Sequence, residues 1–280
     1  MQNIKLTLQY DGTRYLGWQR PQRDGHEKTV SYKLASVLKK MTGEDIVLHA
    51  GAKTEPGVHA AGQTVSFQTG SPIPPEQFCS ELNHYLPQDI AILEASAAPE
   101  RFRADLSAVS RTYEYRACTA KVYDVFTAPY TAHLPLEKHA IEEADPLNRN
   151  AMEKAASFLV GRHDFRGFSN ARPKKKTEKE IYDIRITCGT GAPVREPADI
   201  PAFSSITDTA NPAEHSLIIA VTANDFLSRM PSLIMGTLME IGTGKRTPDS
   251  IRDILESREK AAALCNAKGL LLKSVSYDNA

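Results

Sequence analysis

The stretch IKLTLQYDG, Ile4 to Gly12, alternates apolar and polar side chains and ends in an Asp-Gly pair. Alternation with a period of two places Ile4, Leu6 and Leu8 on one face of a β-strand, and Asp-Gly is typical of a turn. The stretch therefore predicts a first strand with one buried face, followed by a turn. The elements predicted after it decide which kind of sheet this strand joins.

The segments that follow predict the order helix, strand, strand, helix, strand. The first helix follows Thr29, a residue type that caps helix N-termini, and stops at Gly43. The strands are predicted at 45–51, 63–69 and 89–96, and the second helix begins at Pro74-Pro75 with Phe78, Leu82, Tyr85 and Leu86 facing inward. The first half of the chain therefore has the predicted order βαββαβ.

The second half predicts the same order again. Its strands are predicted at 111–119, 181–189, 215–223 and 269–277, and its helices at 146–160, from Asp225 and from Pro248. Two copies of one plan predict an α+β fold with two similar βαββαβ domains, residues 1–104 and 105–280, whose sheets are mainly antiparallel. The Pro-, Ala-, Ser- and Thr-rich stretch 188–215 predicts a long surface loop.

Composition and cysteine spacing favour a soluble cytoplasmic protein. Of the 280 residues, 41% are hydrophobic, which predicts a sizeable core. The four cysteines lie far apart and form no metal-binding motif, so we expect neither a disulfide framework nor a metal. The N-terminus resembles a strand and not a signal peptide, and no apolar run reaches membrane-spanning length. We therefore expect no membrane partner.

The net charge gives no argument for a nucleic-acid partner, because 34 basic residues balance 34 acidic ones. The distribution is less even than the total. The segment 162–179 has seven basic residues, including Arg172 and Lys174, against two acidic ones. This segment predicts a local basic surface, and a solvated loop is the alternative.

Glu55 is the first candidate for chemistry. It precedes Pro56-Gly57, a pair that fits the central positions of a type II turn, and proline disfavours helical backbone at the preceding residue. A stiff loop therefore presents the carboxylate. Such a group can act as a nucleophile or base, or it can be a solvated turn residue.

Two aromatic segments are the next candidates. The segment YDGTRYLGWQRPQR, residues 10–23, places Trp18 among tyrosines and arginines, which suits stacking on RNA bases; core packing is the alternative. The segment SRTYEYRA places Tyr113 and Tyr115 on one face of a strand, a pattern that favours burial. His59 and the pair His163-Asp164 have no metal or nucleophile spacing, and no P-loop, GxGxxG or GxSxG motif is present.

Taken together, six stretches resemble the TruA-type tRNA pseudouridine synthases over nearly the whole chain. They are YDGTRYLGWQRP, GAKTEPGVHAAGQTVSF, SRTYEYR, HDFRGF, NDFLSRMPSLIMGTLMEIGTGK and KGLLLKSVSY. The resemblance implies the pseudouridine synthase fold with an RNA cleft between two domains, a homodimer that binds the tRNA anticodon arm, and no cofactor. It also implies isomerisation of uridine to pseudouridine in a nucleotide that has left the base stack.

The resemblance assigns roles position by position. Glu55 stands at the place of the nucleophilic aspartate, Lys53 at that of an arginine that assists base flipping, and Tyr113 at that of a tyrosine that stacks on the target base. The implied RNA-binding residues are Arg14, Trp18, Gln19, His59, Phe102, Arg103, Arg172 and Lys174.

The departures from the family pattern cluster in the implied cleft. Besides Lys53 and Glu55, Asp105 replaces an arginine expected to contact RNA, and Ser232 replaces the arginine expected to pair with the carboxylate. Lys53 could supply that positive charge instead, and Pro231 is expected to kink the helix that holds Ser232.

Three hypotheses follow. The protein is an isomerase with glutamate as an unusual nucleophile, a catalytically inactive RNA-binding paralogue that binds or remodels tRNA, or a protein-interaction scaffold.

Overall fold

A computed structural model describes residues 1–20, 25–120, 122, 124–134, 147–170, 176–188, 216–256 and 259–278. Its fold is α+β, with one ten-stranded sheet that is mostly antiparallel. The strands are β1 Gln2–Tyr10, β2 His49–Ala50, β3 His59–Thr69, β4 Ile90–Ala97, β5 Ala108–Cys118, β6 Ala132–His133, β7 Gly161–Asp164, β8 Glu178–Cys188, β9 Ser216–Ala223 and β10 Leu270–Tyr277. The helices are α1 Val30–Thr42, α2 Gln77–Tyr85, α3 Arg149–Leu159, α4 Met230–Gly242 and α5 Ser250–Leu255.

The strand order of the sheet is β4-β1-β3-β10-β5-β9-β8-β7. The order β4-β1-β3 of the first half recurs as β10-β5-β9 in the second half, as the repeated order of predicted elements implies. Within each half the neighbouring strands are antiparallel. The halves join through the parallel pair β3 and β10, where Leu271 lies opposite His59. The domain division 1–104 and 105–280 stays a prediction.

Local signals placed the first strand and the first helix correctly. In β1, Ile4, Leu6 and Leu8 are fully buried, as alternation predicts. Helix α1 begins after Thr29, whose hydroxyl accepts a hydrogen bond from the backbone N–H of Tyr32, and ends at Gly43 with φ of 76°. A side-chain N-cap and a left-handed glycine satisfy backbone groups that the helix itself leaves unpaired.

Other local predictions were wrong in detail. The strand predicted at 45–51 is reduced to the two residues of β2. Tyr85, predicted to face inward, is 60% exposed, because it is the last residue of α2 and lies beyond the buried stripe of Phe78 and Leu82. Strand β7 was not predicted; it pairs with β8. The stretch 189–215 lies outside the described residues.

Helix α4 begins five residues later than the predicted start at Asp225. Pro231 lies in its first turn and does not kink it, because a proline there lacks an N–H that has no intrahelical partner in any case. The kink expected at Pro231 was therefore wrong.

No helix in the described part of the chain is both long and apolar enough to span a membrane.

Candidate active site

The loop between β2 and β3 presents Glu55 on a type II turn. The backbone N–H of Val58 donates to the carbonyl of Glu55 at 3.1 Å, and Gly57 has φ of 77°. A type II turn requires a positive φ at its third residue and often has this hydrogen bond. The turn predicted from Pro56-Gly57 is confirmed, and it fixes the backbone from which Glu55 projects.

The segment after β1 holds this loop in place. The backbone N–H of Trp18 donates to the carbonyl of Thr54 at 3.0 Å, and that of Gly57 donates to the carbonyl of Tyr15 at 3.1 Å. The Tyr10 hydroxyl lies 2.8 Å from the Thr54 hydroxyl. In the structure this segment therefore positions the loop through backbone and hydroxyl contacts.

Gly12 shows how close this packing is. A Cβ atom at Gly12 would lie 2.0 Å from the carbonyl oxygen of Val58, far inside van der Waals contact. We expect Gly12→Ala to lower the free energy of unfolding by about 1–3 kcal/mol, because the backbone must move apart. Urea denaturation measures this change. As a control, Gly70→Ala meets only the flexible end of Glu44, at 3.0 Å, and is expected to cost less than about 0.5 kcal/mol. Equal losses in both variants would contradict the prediction.

A cavity of about 410 Å³ opens beside Glu55 and is lined by both halves of the chain. This volume lies in the usual range for small-ligand sites, roughly 300–1,000 Å³. The residues that line it are Ala50, Gly51, Ala52, Lys53, Glu55, Val58, Asp105, Arg111, Tyr113, Asp225, Phe226, Leu227, Ser228, Arg229, Pro231 and Leu270. The three predicted catalytic residues therefore lie around one cavity.

The Glu55 carboxylate meets the start of α4. The Ser232 hydroxyl donates to Oε2 of Glu55 at 3.1 Å. Burial raises the pKa of Glu55, whereas this hydrogen bond and the positive charge and backbone N–H of Arg229 act to lower it, and the net shift is upward. The carboxylate is thus oriented, half-buried and able to act as a nucleophile or base once ionised.

Tyr113 lies on β5 and is 5% exposed. Its ring packs edge-to-face on Phe226, with the ring centres 5.1 Å apart. Burial raises the pKa of the phenol, and the negative charge of Glu55 raises it further. Tyr113 is therefore a neutral hydroxyl with an aromatic face at the wall of the cavity.

Arg229 is the site residue that the sequence patterns missed. Lys53 was one candidate to supply the positive charge near Glu55; it is exposed at the cavity, and the positive charge that lowers the pKa of Glu55 is that of Arg229. One signal could have found it. Arg229 stands three residues before Ser232, a spacing that brings two residues to the same side of a helix.

Asp105 and Arg103 form a pair at the edge of the cavity. The guanidinium of Arg103 donates from Nε to Oδ1 of Asp105 at 3.2 Å and from Nη2 to Oδ2 at 2.8 Å. This contact lowers the pKa of Asp105. The predicted RNA-binding Arg103 thus has its charge balanced by the neighbouring residue that departs from the family pattern.

The Arg111 side chain connects segments on different sides of the cavity. Its guanidinium donates to the carbonyl of Gly51 at 2.7 Å and to the carbonyl of Asn224 at 2.6 Å. It also donates to the carbonyl of Asp105 at 3.4 Å, and Nε lies 3.6 Å from Oδ1 of Asp225. The loop carrying Glu55 and the segment before α4 are both fixed to β5 by this side chain.

Two predicted RNA-binding aromatics lie in the interior. Trp18 is fully buried and Phe102 is 6% exposed, in edge-to-face contact with Tyr277. In this structure the core covers both rings, so neither presents a free face to a base, and their role as RNA contacts stays a prediction. Trp18 corresponds to the alternative interpretation as a core aromatic.

The remaining predicted RNA-binding residues differ in position. His59 is 3% exposed, with Nδ1 at 3.1 Å from both the Gly12 nitrogen and Oδ1 of Asp11, and its role as an RNA contact stays a prediction. Arg14 and Gln19 are exposed, and Arg14 donates from Nε to Asp89 at 3.1 Å. Arg172 and Lys174 lie outside the described residues.

Within the described ranges, no cluster of three or more His, Cys, Asp or Glu side chains has the arrangement of a metal site.

Comparisons with known proteins agree with the resemblance read from the motifs. A family model described as tRNA pseudouridine synthase matches residues 7–105 and 155–278. A tRNA pseudouridine synthase A of Moorella thermoacetica is 37% identical over 278 residues, covering 98% of this chain and 99% of that protein. A protein of the same name from Bacillus sp. (strain KSM-64) is 33% identical over 279 residues, covering 99% of this chain and 100% of that protein. The chain therefore belongs to the tRNA pseudouridine synthase A family of isomerases.

Proposed function

We propose that this protein converts uridine to pseudouridine in tRNA, with Glu55 as the nucleophile. The observation that carries the proposal is the placement of Glu55, which projects from a rigid turn into a cavity shared with Tyr113 and accepts a hydrogen bond from Ser232 at 3.1 Å. The relatives named above are tRNA pseudouridine synthases, which supports tRNA as the substrate.

In the proposed reaction, the target nucleotide leaves the base stack and enters the cavity. The ionised Glu55 attacks C1′ of the ribose, forming a C1′–O bond as the bond between C1′ and N1 of uracil breaks, and the base turns. C5 then bonds to C1′ as the C1′–O bond to Glu55 breaks and the carboxylate is regenerated. The hydrogen on C5 leaves as a proton, and N1 gains a proton. Product and substrate are isomers, so no oxidant, reductant or second substrate is needed.

The neighbouring side chains have separate roles in this proposal. Tyr113 offers its ring to the flipped base, and Lys53, exposed at the mouth of the cavity, assists the flipping through contact with the RNA backbone. We propose the anticodon arm as the part of tRNA that binds, a homodimer as the assembly and the cytoplasm as the compartment. These three statements rest on the resemblance of the motifs.

Release of tritium from tRNA that carries tritium at uridine C5 tests the function directly. We expect release above a buffer control at stoichiometric enzyme, because forming the new carbon–carbon bond expels that hydrogen. Absence of release from several tRNA pools would reject the isomerase. Salt-sensitive tRNA binding without release would identify an inactive RNA-binding paralogue, and absence of both would favour the scaffold.

As the pH is lowered, the activity should begin to fall at a higher pH than it would if the nucleophile were a glutamate with an ordinary pKa. Attack requires the ionised carboxylate, and burial raises the pKa of Glu55 in the folded protein. Protonation on lowering the pH therefore begins above the usual glutamate range, and the acidic limb of kcat/KM follows this raised pKa. Tritium release measured across pH 4 to 8 checks it. An acidic limb at or below the ordinary glutamate pKa, about 4.3, would contradict it.

A further inference from the structure

The first turn of α4 surrounds the Glu55 carboxylate on one side. Ser232 donates its hydroxyl at 3.1 Å. Arg229 is the N-cap residue of α4, and its backbone N–H and positive charge both act to lower the pKa of the carboxylate. Free N–H groups at a helix N-terminus and the helix dipole both favour a negative charge there. The start of α4 is thus a binding site for this particular carboxylate.

The backbone of Arg229 is in the left-handed region, with φ of 65° and ψ of 1°. Among the described residues it is the one non-glycine residue with positive φ. A side chain makes this conformation unfavourable, and such residues are retained mainly where the surroundings or the function require them. Glycine would fit this backbone better, so the arginine side chain has a reason other than local structure.

The charge of Arg229 acts at Glu55, whereas Lys53 is exposed at the mouth of the cavity and Arg111 is engaged by other groups. Arg229 lines the cavity beside Glu55 and Pro231. Arg111 uses its guanidinium on backbone carbonyls and on Asp225. Asp225 is also paired with Lys179, a contact that keeps this carboxylate balanced.

We propose that Arg229 is a positioning residue for Glu55, holding the carboxylate toward the cavity through its backbone N–H and its positive charge. The proposal rests on the function proposed above. In this proposal the N-cap residue of α4 supplies the positive charge that the family pattern places three residues later, where this chain has Ser232. The two departures from the family pattern are consistent in size, since the longer carboxylate of Glu55 meets the shorter side chain of Ser232.

Arg229→Gly separates this role from a structural one. The glycine relieves the left-handed backbone, so we expect an unchanged or higher melting temperature, by up to about 3 °C. The lost charge should nevertheless lower kcat by about 10- to 100-fold, with the KM for tRNA changed less than about threefold. Arg229→Lys, which keeps the charge, should recover part of the kcat.

The pH profile gives the second readout. Removing the charge should raise the pKa of Glu55 further, so the acidic limb of kcat should move to higher pH in Arg229→Gly and Arg229→Gln and stay near wild type in Arg229→Lys. Tyr113 and Cys265 also lie near Glu55, and burial raises their pKa values, so both are neutral in this range. The carboxylates Asp105 and Asp225 line the same cavity, and they are paired with Arg103 and with Lys179 and Arg111, respectively. Arg185→Gln, on an 80% exposed side chain of β8, is the matched control and should leave both readouts unchanged.

The outcomes separate this proposal from the function itself. A wild-type protein without tritium release rejects the function, and the Glu55 carboxyl can then still be titrated by NMR in wild type and Arg229→Gly. An equal Glu55 pKa in the two proteins would overturn the positioning role. If the wild-type protein is active, the positioning role would be overturned by an Arg229→Gly variant whose kcat and pH profile equal those of wild type. It would also be overturned if Arg229→Lys and Arg229→Gln had the same kcat and the same acidic limb.

Discussion

Replacing Glu55 by glutamine is expected to abolish tritium release from tRNA while the fold and tRNA binding persist. Glutamine keeps the size of the side chain and can still accept the hydrogen bond from Ser232, which is 3.1 Å from Oε2 in the structure. It lacks the negative charge that makes the carboxylate a nucleophile. We expect a loss of at least about 10³-fold in the single-turnover rate, the scale seen when a nucleophile is removed.

Three measurements on Glu55→Gln complete this test: single-turnover release, thermal unfolding, and tRNA binding at two salt concentrations. The melting temperature should not fall, because the half-buried carboxylate has a raised pKa, which means that its ionised form is not stabilised by the fold. Retention of more than about a tenth of the wild-type rate would show that Glu55 is not the nucleophile.

Glu55→Asp is the matched variant, since it keeps the charge and removes one methylene. In the structure the longer side chain is the one that meets Ser232, so the shorter one should lose this hydrogen bond and the alignment it gives. A displacement of about 1 Å costs on the order of a hundredfold in rate. A gain of activity in Glu55→Asp would instead show that the chain is too long for the reaction.

Arg111→Met is expected to lower the free energy of unfolding by about 2–5 kcal/mol, because two backbone carbonyls lose their buried donor at a cost of about 1–3 kcal/mol each. The guanidinium is buried and donates to the carbonyls of Gly51 and Asn224 at 2.7 and 2.6 Å. Methionine fills a similar volume but leaves these carbonyls without their donor. Urea unfolding measures the loss, and activity should fall with it because the Glu55 loop loses an anchor.

Arg116→Met on the same strand is the control. The Arg116 side chain is 36% exposed and pairs with Glu114 at 2.7 Å, and Lys273 lies 3.6 Å from the other oxygen of Glu114. Glu114 therefore keeps a cationic partner in the variant, and we expect a loss below about 1 kcal/mol. Similar losses in the free energy of unfolding in the two variants would show that the buried contacts of Arg111 stabilise the fold no more than the exposed ion pair of Arg116.

Local sequence signals were sufficient for the ends of α1 and for the turn that carries Glu55, although they misplaced the start of α4 and the effect of Pro231. Thr29 and Gly43 mark the ends of α1 because caps act on the nearest backbone groups. Pro56-Gly57 marks the turn that presents Glu55, because the turn needs only a fixed φ followed by a positive one. In both cases the prediction and the structure agree.

The aromatic residues show where this reasoning fails. Trp18 and Tyr113 both stood in motif segments and both were candidates for stacking on RNA. The structure buries Trp18 completely and places Tyr113 at the wall of the cavity. Both sequence patterns are compatible with burial in the core and with a position at the cavity wall. Burial depends on which other elements pack against the residue and not on its own neighbours in the chain.

By itself, the sequence determined the family, the α+β class, the repeated order of elements and the turn that carries Glu55. Only the tertiary structure decided what faces that carboxylate. Ser232 lies 177 residues from Glu55 along the chain, and Arg229 three residues closer, and they meet because the C-terminal strand β10 pairs with both β3 and β5. The physical reason is that turns, caps and alternation follow from short-range sterics and hydrogen bonds. The electrostatic surroundings of a carboxylate are set by whatever the whole sheet brings within a few ångströms.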